Sequence, residues 1–268
     1  MPRPLHLPDF RNPPINEVVV GVQFVRLPIT GAHVGRFWAS ALDRYPRVEE
    51  QPPLDPQLEA LGPKQGIAQL HFSIEPHQSR HWLISSSDTE LLQLQSDRFL
   101  FNWRARPGAG PYPHFEAIHE KFRSEFSEWV EFLRSELKQK VQLTQWEVTY
   151  VNSIGGGETP DLSEILSFIG PQLRAAIAGP PDAARFDVQR VLRFDDGAAW
   201  ARAYVSAKNG FGPNREPLVL LELTVRGPQP PGGEESAIYE RHFQAREWIV
   251  RAFDALTTDS QHKTWGKI

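Results

Sequence analysis

Residues 96–104 (Ser-Asp-Arg-Phe-Leu-Phe-Asn-Trp-Arg) alternate large apolar and polar side chains with a period of two, which predicts a strand. Phe99, Phe101 and Trp103 fall on one face, and Leu100, Asn102 and Arg104 on the other. Further strands are expected at 17–24, 68–74, 81–86 and 90–95, with short links that indicate an antiparallel meander. The spacing of three and four between Phe115, Ile118, Phe122, Phe126, Trp129, Leu133 and Leu137 predicts a long amphipathic helix over about 113–140. A shorter helix is expected over 30–45, where Val34, Phe37, Trp38, Ala41, Leu42 and Tyr45 form a stripe that Pro46 ends.

The second half repeats the scheme. Strand 146–154 precedes a glycine break and a helix capped by Thr159. Strands 185–194, 199–207 and 218–226 follow, then a helix over about 235–256. Local echoes point to duplication: Glu17-Val18 with Glu147-Val148, Glu128-Trp129-Val130 with Glu247-Trp248-Ile249, and 99–104 with the strand ending at Arg226. The spacing between copies falls from 130 residues (Glu17 to Glu147) to 119 (Trp129 to Trp248), so the second copy has lost length. The expected fold class is α+β, a curved antiparallel sheet with long helices packed on one face. The predicted divisions are a proline-rich N-terminal arm (1–16), two β-α-meander-α halves (17–141 and 142–258) in one compact unit, and a polar tail (259–268). The loop over 46–66 carries five prolines and the acidic pair Glu49 and Glu50, and reads as a segment wrapping the surface.

The element order resembles the half-repeat of the TATA-binding-protein-like fold and, more loosely, the helix-grip fold. Such folds leave the sheet face opposite the helices as a saddle or a pocket, which does not by itself assign a function. Several segments together resemble a sporadically distributed bacterial protein family of unknown function: 12–19 (Asn-Pro-Pro-Ile-Asn-Glu-Val-Val), Phe37-Trp38, 49–54 (Glu-Glu-Gln-Pro-Pro-Leu), 97–104 and Tyr150-Val151-Asn152. The resemblance implies a complete bacterial protein and brings no activity with it.

Composition narrows the chemistry. The 268 residues contain no cysteine, which excludes disulfides, thiolate metal sites and thiol nucleophiles. A net charge of −4 gives no overall attraction to nucleic acid, so nucleic-acid binding is disfavoured without being excluded. No apolar run is long enough to span a bilayer and the N-terminus does not read as a signal peptide, so no membrane association and a cytoplasmic location are expected. No Walker, dinucleotide-binding, serine-elbow or zincin motif occurs, and no cofactor is expected. His71, His77 and His81 come nearest to a metal cluster, but exposed histidines on a hairpin explain them better, and no metal is expected. His114 and His119, five apart, fall on different helix faces.

The candidate ligand-binding residues are polar groups set into apolar strands: Asn102, Arg104, Tyr150, Asn152, Glu222 and Arg226. With the two meanders side by side, Asn102, Arg104, Glu222, Thr224 and Arg226 are expected to share the face opposite the helices, where Arg and Asn donors suit an anionic or planar ligand. The competing expectation is that Arg104 or Arg226 is consumed in ion pairs with Glu17, Glu147 or Glu222. The leading function is a non-enzymatic binding or interaction protein from a bacterial accessory locus, taking a protein partner or small ligand. The alternatives are an enzyme or ligand-binding protein with a pocket between sheet and long helix, using Asn102, Arg104 and Tyr150, and nucleic-acid binding on the sheet face. Oligomeric state is not legible in the sequence.

Overall fold

The structure, a computed structural model, describes residues 6–55, 59–61, 79–155, 162–169, 184–212 and 215–268. The strand expected at 68–74, the cap expected at Thr159, and His71 and His77 lie outside the described residues. Nine strands form one open antiparallel sheet in the order β2-β3-β4-β5-β1-β6-β9-β8-β7. They are β1 (Ile15–Phe24), β2 (Arg47–Gln51), β3 (Arg80–Ile84), β4 (Glu90–Gln95), β5 (Arg98–Arg104), β6 (Leu143–Gly155), β7 (Arg185–Arg193), β8 (Ala199–Phe211) and β9 (Pro217–Pro228). The helices are α1 (Gly31–Ser40), α2 (His114–Leu137), the single turn α3 (Leu162–Ile165), α4 (Glu235–Leu256) and α5 (Asp259–Trp265).

The opening strands of the two halves, β1 and β6, pair antiparallel at the middle, with Val19 opposite Thr149. A two-fold relation through that pair maps Glu17 onto Glu147, and the next strands out, β5 and β9, place Arg104 opposite Glu17 and Arg226 opposite Glu147. Alternation then sorts side chains by face. Val18, Val20, Val22, Phe99, Phe101, Trp146, Val148, Leu221, Leu223 and Val225 are buried in the core. There the rings of Phe122 and Phe126 on α2 meet Phe99 at 5.9 and 5.3 Å. Burying such rings contributes roughly 1.5–3 kcal/mol each, which makes the stripe on α2 the main adhesive of the first half.

Helices α2 and α4 meet at His119 and His242, whose ring nitrogens lie 3.2 Å apart, with His242 Nε2 3.3 Å from the Gly21 carbonyl oxygen. Both histidines are buried. Burial holds His119 down at about 3 and His242 well below the usual imidazole value.

One expectation is corrected, and both chain ends pack on the body of the fold. The loop expected over 46–66 begins as an edge strand: β2 pairs with β3, setting Glu50 opposite His81, so the acidic pair is on a sheet edge. Period-two reading missed β2 because its five residues (Arg-Val-Glu-Glu-Gln) carry one apolar side chain. The polar tail is ordered: Thr258 caps α5 by accepting from the Gln261 N–H, and Trp265 packs on Phe253 with ring centres 5.1 Å apart. The N-terminal arm is also built in, since Leu7 and Phe10 are buried and Phe10 bridges to Lys267.

Candidate binding face and helix-side cavity

Strand periodicity divides the six candidate residues between two places. Asn102, Arg104, Glu222 and Arg226 share the sheet face opposite the helices. Tyr150 and Asn152 pair with Leu223 and Leu221 and point to the helix side. A pocket shared by Asn102, Arg104 and Tyr150 is therefore ruled out by parity, because the sheet itself separates them.

On the helix side, the Tyr150 hydroxyl lies 3.0 Å from the Tyr112 hydroxyl, and the Asn152 amide donates to the Leu221 carbonyl at 3.1 Å. Burial raises the Tyr150 phenol well above its usual value, so it stays neutral and serves as a hydrogen-bonding group. A cavity of about 60 Å³ lies beside them, lined also by Phe10, Phe115 and Arg246. The buried Arg246 guanidinium donates to Glu116 at 2.7 Å, while its Nε has no partner.

On the opposite face the two halves use their symmetry-related Glu and Arg differently. In the second half Arg226 Nε donates directly to Glu147 at 2.8 Å. Burial alone would lower the guanidinium, but the Glu147 charge and hydrogen bond outweigh it and hold Arg226 above its ordinary value. In the first half the Asn102 amide donates to Glu17 at 2.6 Å and accepts from Gln93 at 2.9 Å. Arg104 turns outward to Asp88, which also receives Arg106 and Arg47. Asp88 sits at φ 59° at the tip of the β3–β4 hairpin, a left-handed position that aspartate tolerates better than most residues. Burial opposes the Asp88 charge, yet the hydrogen bond from Arg106 and the charges of Arg104, Arg106 and Arg47 hold its carboxyl below the usual range. Burial raises the Glu17 carboxyl, only partly offset by Asn102 and Arg104. Arg104 is lowered by burial and by its neighbour Arg106. Glu222 is exposed in mid-strand.

Gly21 lets this face close at the centre, because a Cβ there would lie 2.2 Å from Leu100 Cδ2 and 3.3 Å from Glu147 Cγ. Trp103 lies on the helix side with its ring 5.3 Å from Tyr112, on the opposite face from Arg98 and Arg104.

The face is covered by its own chain. Gln95 forms a reciprocal pair with the Leu54 backbone, its Oε1 accepting from Leu54 N–H and its Nε2 donating to Leu54 carbonyl, each at 2.9 Å. Arg98 donates to the Asp55 carbonyl at 3.0 Å and to Gln23 at 3.2 Å. Further along, Gln145 accepts from the Glu59 N–H at 2.5 Å, and Arg202 donates to the Glu59 carboxylate at 2.6 Å and to the Ala60 carbonyl at 2.8 Å. The Tyr204 hydroxyl donates to the other Glu59 oxygen. Arg202 and Glu59 side chains are 7% and 3% exposed, so this is a desolvated ion pair. Within the proline-rich segment, residues 54–55 and 59–60 make these contacts with the face. Gln95, Arg98, Gln145, Arg202, Tyr204 and Glu59 were not among the sequence candidates. Glu59 gave no local signal, since its partners are more than 80 positions away.

His81 Nε2 lies 3.5 Å from Glu50, and burial lowers its pKa. Among the described residues no group of three or more His, Asp or Glu is placed to hold a metal ion. No helix among them is long and apolar enough to cross a membrane. Comparison with protein-family models and with curated proteins finds no match to this chain.

Proposed function

We propose that this chain is a non-enzymatic binding protein whose recognition surface is the polar face of its sheet. The observation that carries the reading is the docking of residues 54–55 and 59–60 there: side chains from β4, β5, β6 and β8 converge on backbone groups of those residues. A face that already grips main-chain groups in this way has the chemistry of a peptide-recognition surface. The carboxylates on it are held by Asn102, Arg226, Arg202 and Tyr204, an arrangement suited to binding and not to proton transfer. The acidic groups Glu17, Glu147 and Glu222 interleaved with the arginines disfavour nucleic acid on the same face.

The test pairs a photo-crosslinking residue at Glu222, on this face, with one at Glu131, exposed on α2. Crosslinking in the native host is expected to give one discrete adduct from position 222 and none shared with position 131. Identical adducts from both positions, or turnover of phosphoesters, esters or peptides by the purified chain, would overturn the reading. A second reading, a small-ligand site on the helix side, is favoured by the unpartnered Nε of Arg246 beside the 60 Å³ cavity. It predicts that formate raises the melting temperature and that Arg246→Met abolishes the effect. An unchanged midpoint in wild type would dismiss it.

A further inference from the structure

Residues 54–55 and 59–60 are held as a ligand is held. Gln95 uses both its donor and its acceptor on Leu54, which is how a neighbouring strand reads a main chain. Arg98 and Arg202 each donate to one backbone carbonyl, and Gln145 accepts one N–H. The only side chain of the described segment that is specifically read is the Glu59 carboxylate, bound by Arg202 and Tyr204. None of residues 52–55 and 59–61 is buried as a whole, and none belongs to the hydrophobic core. Replacing this segment by another of similar chemistry would exchange its hydrogen bonds for equivalent ones, without opening the core.

The charge pattern selects the substitute. Arg98, Arg202 and Arg226 lie around Glu147 and Glu59, with Asp97 and Asp55 beside Arg98, so withdrawing the segment removes the Glu59 and Asp55 carboxylates from a face that keeps its three guanidinium groups. Buried Arg98 also keeps an Nε with no hydrogen-bond partner, a donor still on offer to an incoming acceptor. Burial lowers the Arg98 guanidinium, and the nearby Glu147, Asp97 and Asp55 charges offset this only in part.

We propose that this face is a site for a peptide segment carrying an acidic side chain, and that residues 54–55 and 59–60 occupy it as an internal stand-in which such a partner displaces. The proposal rests on the reading of the polar face as the recognition surface and names the chemistry of what it takes. A tethered segment competes at an effective concentration on the order of millimolar, so the intact chain is expected to bind an outside peptide weakly.

The probe is a fluorescein-labelled peptide with the sequence of residues 52–61 (Pro-Pro-Leu-Asp-Pro-Gln-Leu-Glu-Ala-Leu), titrated by anisotropy against the full chain and its Glu59→Ala variant. Glu59→Ala is expected to bind at least about tenfold tighter than wild type, because the internal competitor has lost its anchor. Binding should disappear when the peptide's glutamate is replaced by glutamine, and when Arg202→Ala is added to Glu59→Ala. If Glu59→Ala does not fold by circular dichroism, Glu59→Gln takes its place, since it keeps the volume and loses only the charge. Equal affinity for wild type and variant, equal binding of the glutamine peptide, or no binding to a folded variant at millimolar peptide would each overturn the proposal. A failed titration with a discrete adduct still formed at position 222 rejects the acidic-peptide site and leaves the binding face standing. Failure of both rejects both.

Discussion

The two halves of the sheet place a glutamate and an arginine at matching positions and wire them differently. In the second half Glu147 and Arg226 bond each other. In the first, Glu17 is left to Asn102 while Arg104 turns to Asp88. The backbone register is the same, so the difference lies in which third group arrives. Asp88 is supplied by a hairpin tip only 16 residues before Arg104. Glu59, the third group of the second half, crosses from the other half of the chain to reach Arg202, 143 positions away. A short-range partner makes the first half self-sufficient, whereas the second half is completed by a segment that belongs to the first.

The largest expected effect is at the seam where the halves meet. His119 and His242 are buried as neutral rings, with His119 held at about 3. An unfolded chain protonates them near 6.5 and the folded one does not, so the unfolded state binds more protons as pH falls. Stability should therefore drop below about pH 6.5 by up to roughly 1.4 kcal/mol per pH unit for each histidine. Urea midpoints between pH 7 and 4.5 measure this, and His119→Gln should remove about half of the slope. An unchanged slope would show that the seam is not what titrates.

Next comes the contrast between the third groups. Arg202→Ala leaves the buried Glu59 carboxylate without its cation and should cost about 3–5 kcal/mol. Asp88→Ala, at a half-exposed turn, should cost about 1 kcal/mol or less. Hydrogen exchange should speed at the Glu59 amide in Arg202→Ala and stay unchanged there in Asp88→Ala. Equal losses in the two variants would erase the asymmetry between the halves.

The smallest and sharpest test exchanges the matched glutamates. Glu147→Gln removes a charge that faces a buried guanidinium and should cost about 2–3 kcal/mol. At position 17 burial already disfavours the charge, and a glutamine oxygen still accepts from Asn102. Glu17→Gln should therefore change stability by less than about 1 kcal/mol. Chemical denaturation at pH 7 decides it, and equal losses would mean that the matched positions are electrostatically equivalent.

Much of the framework was legible because it depends on local periodicity. Alternation at 99–104 and the stripe from Phe115 to Leu133 assign one face each; Phe99, Phe101 and the helix stripe are buried as read, and Trp103 is partly buried. The echoes of Glu17 in Glu147 and of Arg104 in Arg226 fall on positions related by the pairing of β1 with β6. Where a strand carries little apolar signal the reading failed, as at β2. In the polar tail, packing of Trp265 on Phe253 builds the chain end onto α4.

For the candidate site, the sequence by itself determined which residues are polar in apolar strands, and parity within each strand determined that Asn102 and Arg104 share a face. Which face a residue of another strand takes depends on register across the sheet, so only the tertiary structure separated Tyr150 and Asn152 from the rest. The same holds for Glu59. Period-two and period-three-to-four patterns encode burial over a few residues, while the meeting of Glu59 with Arg202 and Tyr204 is set by chain path over distances that no local pattern records.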